Sequence, residues 1–362
     1  MSRAQIVVGL GFGDEGKGRV TDHLCRLRPD SLVVRFSGGQ QCGHHVCLDG
    51  RRHVHSSFGS GTLRGLPSWF SAHCCFYPVS LMTEYRQLRG LGVEPVLYLH
   101  PQARLTTPYD LLANRLAERR NGHGSCGLGI GKTMQREADG YALRALDTTY
   151  PALLAAKLNR VRDYTLSRLE PSPEELDWLT EELGRFREAI GEAPWRLAGN
   201  DLPRRFPNLV FEGSQGILLD QTHGQFPHVT YAHTTSRNAV AICRELGLDY
   251  EVHYVTRCYT TRHGPGWMPD ERPLPLVNTD AEINRYNRWQ GDFRTGELDY
   301  DALNHALAVD SLYSGGCPRH LVVTCLDQRP GFRFETARLQ TVFAACLGSD
   351  SPQGESELTP LA

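Results

Sequence analysis

The chain has 362 residues, 40% of them hydrophobic and 22% charged, with a formal net charge of −2 at pH 7. That length can bury a large core in one or two domains, and so small a charge excludes the basic field that nucleic-acid binding requires. No apolar run approaches the ~18 residues of a membrane span, no signal-peptide pattern opens the chain, and eleven cysteines without a C-x-x-C pair read as reduced thiols.

These features predict a cytoplasmic protein without nucleic-acid or membrane partners. In chain order, the first element is a strand, "QIVVGLG" (5–11), running directly into "GDEGKG" (13–18). Gly11, four residues and then Gly16-Lys17 reproduce most of a phosphate-binding loop, but Gly18 stands where Ser or Thr would hold Mg²⁺. Lys17 offers a point charge, and a helix starting here adds its N-terminal dipole. Asp14 then has two readings: a replacement for the missing hydroxyl on Mg²⁺, or a general base. The bland alternative is a structural glycine turn.

A second strand, "SLVVRFSGG" (31–39), leads into "GGQQCGHHV" (38–46). It brings His44 beside the first loop, where an imidazole can donate to a phosphoryl oxygen. A histidine pair at a strand end is otherwise ordinary surface polarity. The strand "PVLYLH" (95–100) precedes a helix over 110–120 with Asp110 as its cap. Five glycines between Gly122 and Gly131 predict a mobile loop that closes on an anion. A helix over 172–191 follows, capped by Ser172. The strand "NLVFEGSQG" (208–216) opens a segment ending at Thr230, with Gln215 and Thr230 as phosphate or base contacts. After the strand "EVHYVTRCYTT" (251–261), Arg294 in "WQGDFRTGELD" offers a carboxylate receptor. The last strand, "HLVVTCLD" (320–327), ends in Asp327, which can accept both N–H donors of a guanine edge.

Continuous apolar strands alternating with helices predict an α/β fold with a large, mostly parallel central sheet flanked by helices. Ligands in such sheets bind beyond the carboxyl ends of the strands, where these glycines lie. Residues 1–347 read as one domain with inserted helical segments, and the polar tail 348–362 reads as disordered.

Together and in this order, the motifs resemble the adenylosuccinate synthetase family, to about Asp327. The likeness rests on "GDEGKG", "GGQQCGHHV", "HSSFGSG" (55–61), "SCGLGIG" (125–131), "FEGSQGILLD…HGQFPHVT" (211–230), "YTTRHGPG" (259–266) and "RTGELD" (294–299). It implies a P-loop-NTPase-like fold and a Mg²⁺-dependent ligase that uses a nucleoside triphosphate to join aspartate to a 6-oxopurine nucleotide. By that resemblance Asp14 and His44 are catalytic. Gly13, Asp14, Glu15, Gly16, Lys17, Gly18, Gly43, His44, Cys325 and Asp327 hold the triphosphate. Asp14, Lys17, Gln41, Ser125, Cys126, Gln215 and Thr230 hold the purine nucleotide, Arg294 and Thr295 the aspartate, and Asp14 and the Gly43 carbonyl the Mg²⁺. The family also implies a homodimer.

The chain departs from the family pattern on its recognition shells. Gln41 replaces an asparagine, Cys126 a threonine and Cys325 a lysine. Gly140 stands where a partner subunit's arginine is expected, with Arg136 nearby as a substitute. A single arginine, Arg294, remains in the aspartate loop, and the C-terminal nucleotide-binding segment has no counterpart. The leading expectation is the reaction of IMP, aspartate and GTP. The alternatives are a 2-aminoadenylosuccinate synthetase-like enzyme using (d)GMP and ATP, a ligase acting on a purine analogue, and a non-catalytic nucleotide-binding homologue.

Overall fold

The computed structural model describes residues 3–122, 124–282 and 286–361. Its apolar strands lie side by side in a ten-stranded sheet. From one edge the order is Thr359–Pro360, Ala345–Gly348, Arg319–Thr324, Asp249–Arg257, Arg3–Gly9, Asn208–Gly216, Ser31–Arg35, Ser68–Phe70, Leu97–Leu99 and Trp195–Leu197. All neighbours are parallel except the edge pair formed by Thr359–Pro360.

The strand Arg3–Gly9 shows why the apolar runs are continuous rather than alternating. Successive side chains point to opposite faces, and both faces are covered. Ile6 and Val8 pack with the helices Arg237–Leu246 and Tyr300–Ser314, whereas Val7 packs against Val20 and Leu24 of the helix Lys17–Leu27. Each such buried side chain contributes about 1.5–3 kcal/mol over leaving it in water. A separate apolar cluster gathers the helices Pro78–Gly90, Pro108–Asn121 and Pro173–Gly191 beside the far edge of the sheet.

The helix Pro173–Gly191 begins at Ser172 as expected, in a reciprocal cap with Glu175. The helix Pro108–Asn121 starts earlier than its sequence reading, because Pro108 occupies the first helical position, where a missing N–H costs nothing. Its cap is therefore Thr107. Asp110 is the third helical residue and accepts from the Thr107 amide at 2.8 Å. Asp110 also holds Arg136 through two bonds of 2.8 and 3.1 Å. Arg136 is thus buried inside its own subunit, which removes it as a substitute for a partner's arginine.

The tail, expected to be disordered, instead lies along the helix Lys17–Leu27. Leu358 packs against the cluster of Val20 and Leu24, Glu357 pairs with Arg26 at 2.5 Å, and the Gly354 carbonyl accepts from Arg64 at 3.1 Å. A polar composition concealed one apolar anchor and a short edge strand. Among the described residues no helix is long and apolar enough to cross a membrane.

The loop after Arg3–Gly9 packs tightly against the end of Asn208–Gly216. A β-carbon on Gly216 would run into the Gly11 carbonyl and the Glu15 carboxylate. Gly216→Ala should therefore cost about 1–3 kcal/mol through overpacking. The check is a lower urea midpoint, and an unchanged midpoint would mean that the loop yields freely.

Candidate active site

Parallel strands direct their carboxyl ends to one side, and the loops there enclose a cavity of about 840 Å³. Gly13, Asp14, Gly16, Lys17 and Gly18 line it from the first loop. Glu15 does not. Its carboxylate turns inward, where Oε1 accepts from the amides of Gly11 (3.0 Å) and Gly13 (2.8 Å), and Oε2 meets Lys17 Nζ at 2.5 Å. The side chain of Glu15, expected among the triphosphate-binding residues, thus faces into its own loop, where it occupies the Gly11 and Gly13 amides.

Asp14 faces the other way. Its φ of 60° puts it in the left-handed region, which an Asp adopts at modest cost. The neighbouring backbone is held from three sides. Thr324 Oγ1 donates to the Glu15 carbonyl at 2.7 Å, Thr261 Oγ1 to the Gly13 carbonyl at 3.4 Å, and Arg257 Nε to the Asp14 carbonyl. So held, Asp14 Oδ2 lies 3.0 Å from His263 Nε2. The helix Lys17–Leu27 begins one turn away, with Gly16 as its N-cap and no side-chain cap. Such an end suits an anion.

Gly18, the residue that breaks the usual phosphate-loop pattern, is explained by its neighbour. A β-carbon there would lie 2.8 Å from His44 Cβ. The space a Ser or Thr would fill belongs to His44, at the start of the strand His44–Leu48, which pairs with Arg51–His55. Behind it, His44 Nδ1 is 2.8 Å from Glu212 Oε1. Glu212 is fully buried and accepts from the Ser60 amide at 3.1 Å and from the Ser60 hydroxyl. Burial opposes its ionisation, yet His44, Arg35 and Ser60 hold its carboxyl at about 2. Burial lowers the His44 pKa, and Glu212 restores only part of the fall. The result is an ionised Glu212 beside a neutral imidazole whose Nδ1 faces it. Nε2 has no hydrogen-bond partner among the described residues.

Farther along the wall stand Gln41, Gly43, Ser125, Cys126, Gln215, Thr230, Cys325 and Asp327, all expected from sequence. Both amide atoms of Gln41 and Oε1 of Gln215 are buried without protein partners among the described residues, as groups awaiting a polar ligand would be. The glycine-rich loop is pinned rather than loose at this point. Asn114 bridges Ser125 Oγ (2.7 Å) and the Gly129 amide (2.9 Å), while Gln40 reaches the Leu128 carbonyl at 3.0 Å. Burial raises the Cys126 thiol to about 11. Tail residues Ser349, Ser351 and Pro352 complete the wall near Asp327.

Arg294 and Thr295 are not brought to the cavity. Arg294 Nε binds Glu271 at 2.8 Å, and its Nη1 donates to the carbonyls of Gly264 and Gly266. Thr295 Oγ1 donates to the Arg272 carbonyl. The cross-strand neighbour of Arg294, Arg262, is on the wall instead. Arg262 is buried over the Phe12 ring, donates only to Gln225 and to the carbonyls of Trp267 and His228, and has no acidic partner among the described residues. Burial, with Arg294 close by, lowers its pKa to about 10. Sequence reading thus missed Glu212, Arg257, Arg262 and His263. Glu212 left a signal, since an acid ending an apolar buried strand must find a partner.

Past the carboxyl edge of a parallel sheet, a helix start presenting amides and a lysine is the arrangement of an enzyme that handles nucleotide phosphates. The adenylosuccinate synthetase family model matches residues 6–332. Two curated relatives named adenylosuccinate synthetase are each 33% identical. One, from Thioalkalivibrio sulfidiphilus, matches over 99% of this chain and 84% of its own length. The other, from Marinomonas sp., matches over 88% and 76%. Among solved structures, the fold is similar to a fully ligated adenylosuccinate synthetase from Plasmodium falciparum (TM-score 0.66, 21% identity, 89% of this chain and 77% of that one). It is also similar to a cyanophage S-2L succinoaminodeoxyadenylate synthetase bound to dGMP and dATP (TM-score 0.68, 16% identity, 100% and 96%). The chain belongs to the adenylosuccinate synthetase family and is a ligase that forms a C–N bond.

The depressed Glu212 carboxyl has a consequence for stability. Its folded pKa of about 2 lies below the ordinary 4.5, so its contribution is complete above pH 4.5 and lost as pH falls toward 2. Acid unfolding of the wild type should steepen in that window. Glu212→Gln should flatten the slope there and lower stability at neutral pH, as followed by circular dichroism. An unchanged acid limb would contradict an ionised Glu212.

Proposed function

We propose that this chain uses a nucleoside triphosphate to phosphorylate the 6-oxo group of a purine nucleoside monophosphate and then replaces that phosphate with the amine of L-aspartate. The observation that carries the reading is one cavity containing both Asp14 and a histidine backed by Glu212, beside an uncapped helix start. A purine oxygen is a poor leaving group, so the chemistry needs a base at N1 and a group that manages charge on the phosphoryl oxygens.

Asp14 is the base. It takes the N1 proton, the electron pair moves onto O6, and O6 attacks the γ-phosphorus as the nucleoside diphosphate departs. His263, 3.0 Å from Asp14 Oδ2, orients the carboxylate. His44 serves the phosphoryl oxygens through Nε2, while Glu212 stabilises the imidazolium whenever that nitrogen carries a proton. The amine of aspartate then forms its bond to C6, and the C6–O bond breaks to release inorganic phosphate. Asp14 and the Gly43 carbonyl offer the hard oxygen donors that Mg²⁺ prefers, and the ion would neutralise phosphate charge there.

Lys17 and the amides at the helix start hold phosphate, and Gln41, Ser125, Cys126, Gln215 and Thr230 hold the monophosphate substrate. Arg262 receives an anion at the cavity wall, because a buried guanidinium without an acidic partner gains most from one. In this reading it takes over the carboxylate-binding role expected of Arg294. The protein acts in the cytoplasm as a homodimer.

A second substrate pair, (d)GMP with ATP, is supported by Cys325 at the position of the family's lysine. IMP, GMP and dGMP crossed with ATP and GTP, with and without aspartate, separate the two when phosphate release is followed. The primary reading requires aspartate-dependent release that is greatest with IMP and GTP. Asp14→Asn should lower turnover by at least about 100-fold with triphosphate affinity retained, and undiminished turnover would remove the base assignment. Arg262→Leu should raise the aspartate requirement about tenfold or more, as loss of a charge-assisted contact does, and more than Arg294→Leu does. The reverse order would return the role to Arg294.

A further inference from the structure

Away from the cavity, the hairpin that carries His44 holds a second polar cluster. His53 and His55 are alternate residues of the strand Arg51–His55, so their rings share one face. Glu84, from the helix Pro78–Gly90, reaches that face. All three side chains are buried. His53 Nε2 lies 3.4 Å and His55 Nδ1 3.7 Å from the same oxygen, Glu84 Oε1, and the three donor atoms fall within 4.8 Å of one another. None of them lines the main cavity.

We infer that His53, His55 and Glu84 form a buried site for a divalent transition-metal ion, with zinc the best match. Four-coordinate zinc, bound at about 2.0–2.2 Å by nitrogen and carboxylate oxygen, places neighbouring donors ~3.4 Å apart, and the two nitrogen-to-Glu84 separations of 3.4 and 3.7 Å lie close to that. Two imidazoles with one carboxylate favour zinc over Mg²⁺ or Ca²⁺, which prefer all-oxygen shells. An independent observation is His55 itself. It is fully buried, and neither ring nitrogen has a hydrogen-bond partner among the described residues. An imidazole in that state is either an uncompensated cost or a ligand.

Glu84 is already oriented for the task. Its Oε2 accepts from the amides of Ser56 (3.1 Å) and Ser57 (2.5 Å) and from the Ser56 hydroxyl (3.2 Å). Its Oε1 faces the two rings and also accepts from the Phe58 amide at 3.2 Å. A second three-residue His/Glu group among the described residues, Glu251, His253 and half-buried His320, is less suited. His253 Nε2 is 2.6 Å from Gln5 Oε1, and its ring stacks on His320.

The consequence lies in the pairing of the hairpin. His55 is the direct cross-strand partner of His44. An ion fixing His55 to the helix Pro78–Gly90 would fasten the strand that presents His44 to the cavity. Its role is structural, and it contacts no substrate.

The test uses untagged full-length protein in saturating Mg²⁺, which occupies the oxygen-donor site. Metal analysis after dialysis should find about one zinc per chain. Cobalt added to chelator-stripped protein should give the intense visible bands of a tetrahedral nitrogen–oxygen site. Zinc added to stripped wild type should raise its melting temperature. His53→Ala, checked for folding by circular dichroism, should lose the cobalt bands or weaken binding more than tenfold, since even outer-shell changes cost about that much. His320→Ala should retain them. Stripped wild type that responds to neither metal overturns the assignment, even if the variant does not fold. So does undiminished binding by His53→Ala.

Discussion

Glu15 stands inside a loop whose glycines suggest that it should receive anions, and its carboxylate occupies the amides of Gly11 and Gly13 while holding Lys17. Much of the site's geometry follows from that placement. Gly9 and Gly216 lack side chains because a β-carbon at either would collide with this carboxylate. Once the inner amides are filled, the backbone turns through Asp14 in the left-handed region, and Asp14 emerges on the cavity side. Two adjacent acids in one loop therefore have opposite tasks. Glu15 supplies the negative charge that organises the loop, and Asp14 is left facing the cavity. A charge-assisted hydrogen bond of this kind is stronger than one between neutral groups, and its burial raises the cost of losing any partner.

The second constraint is the buried charge at the end of Asn208–Gly216. Glu212 is paired in register with Val7 on one neighbouring strand and with Arg35 on the other. A carboxylate in the middle of a parallel sheet is tolerated only with compensation. Arg35, Ser60 and His44 provide it. Arg35 is itself fully buried, held by Ser214 at 3.1 Å and by Cys42. The imidazole is thus fixed by the sheet, although its own residue belongs to a hairpin outside that sheet. Rigid backing of this sort lets a histidine act on developing charge without first reorganising.

Much of this was legible in sequence, and the gaps have physical causes. The strands were readable because burial on both faces removes polar alternation, so each one appears as an unbroken apolar run before a glycine. Asp14, Lys17 and His44 were readable because they sit within short, dense motifs. Glu212 was hidden in one such motif because its role depends on a partner 168 positions away in a different loop, His44. Arg262 and Arg294 could not be told apart by composition, since both lie in polar segments. Their register and the position of Glu271 decide which one faces the cavity. Thr107 was passed over as a cap because Asp110 is an equally good cap residue. The proline between them decides the matter.

The end of the cavity beside Cys325 and Asp327 follows the same logic. Cys325 takes a left-handed turn at φ 58°, and burial raises its thiol pKa, so it presents a neutral sulfur where the family has a lysine. A thiol can pack against the face of either purine and distinguishes them poorly. Under the proposed nucleotide reading, discrimination would then come from the base edge, where a carboxylate such as Asp327 matches paired N–H donors and mismatches a ring-nitrogen acceptor. Burial and the nearby Asp350 push the Asp327 carboxyl up, which weakens an acceptor that lacks a donor facing it. The remaining wall here is Ser349, Ser351 and Pro352. A tail anchored by Leu358 and Glu357 carries that part of the wall, so loosening the anchor would open the cavity beside Asp327.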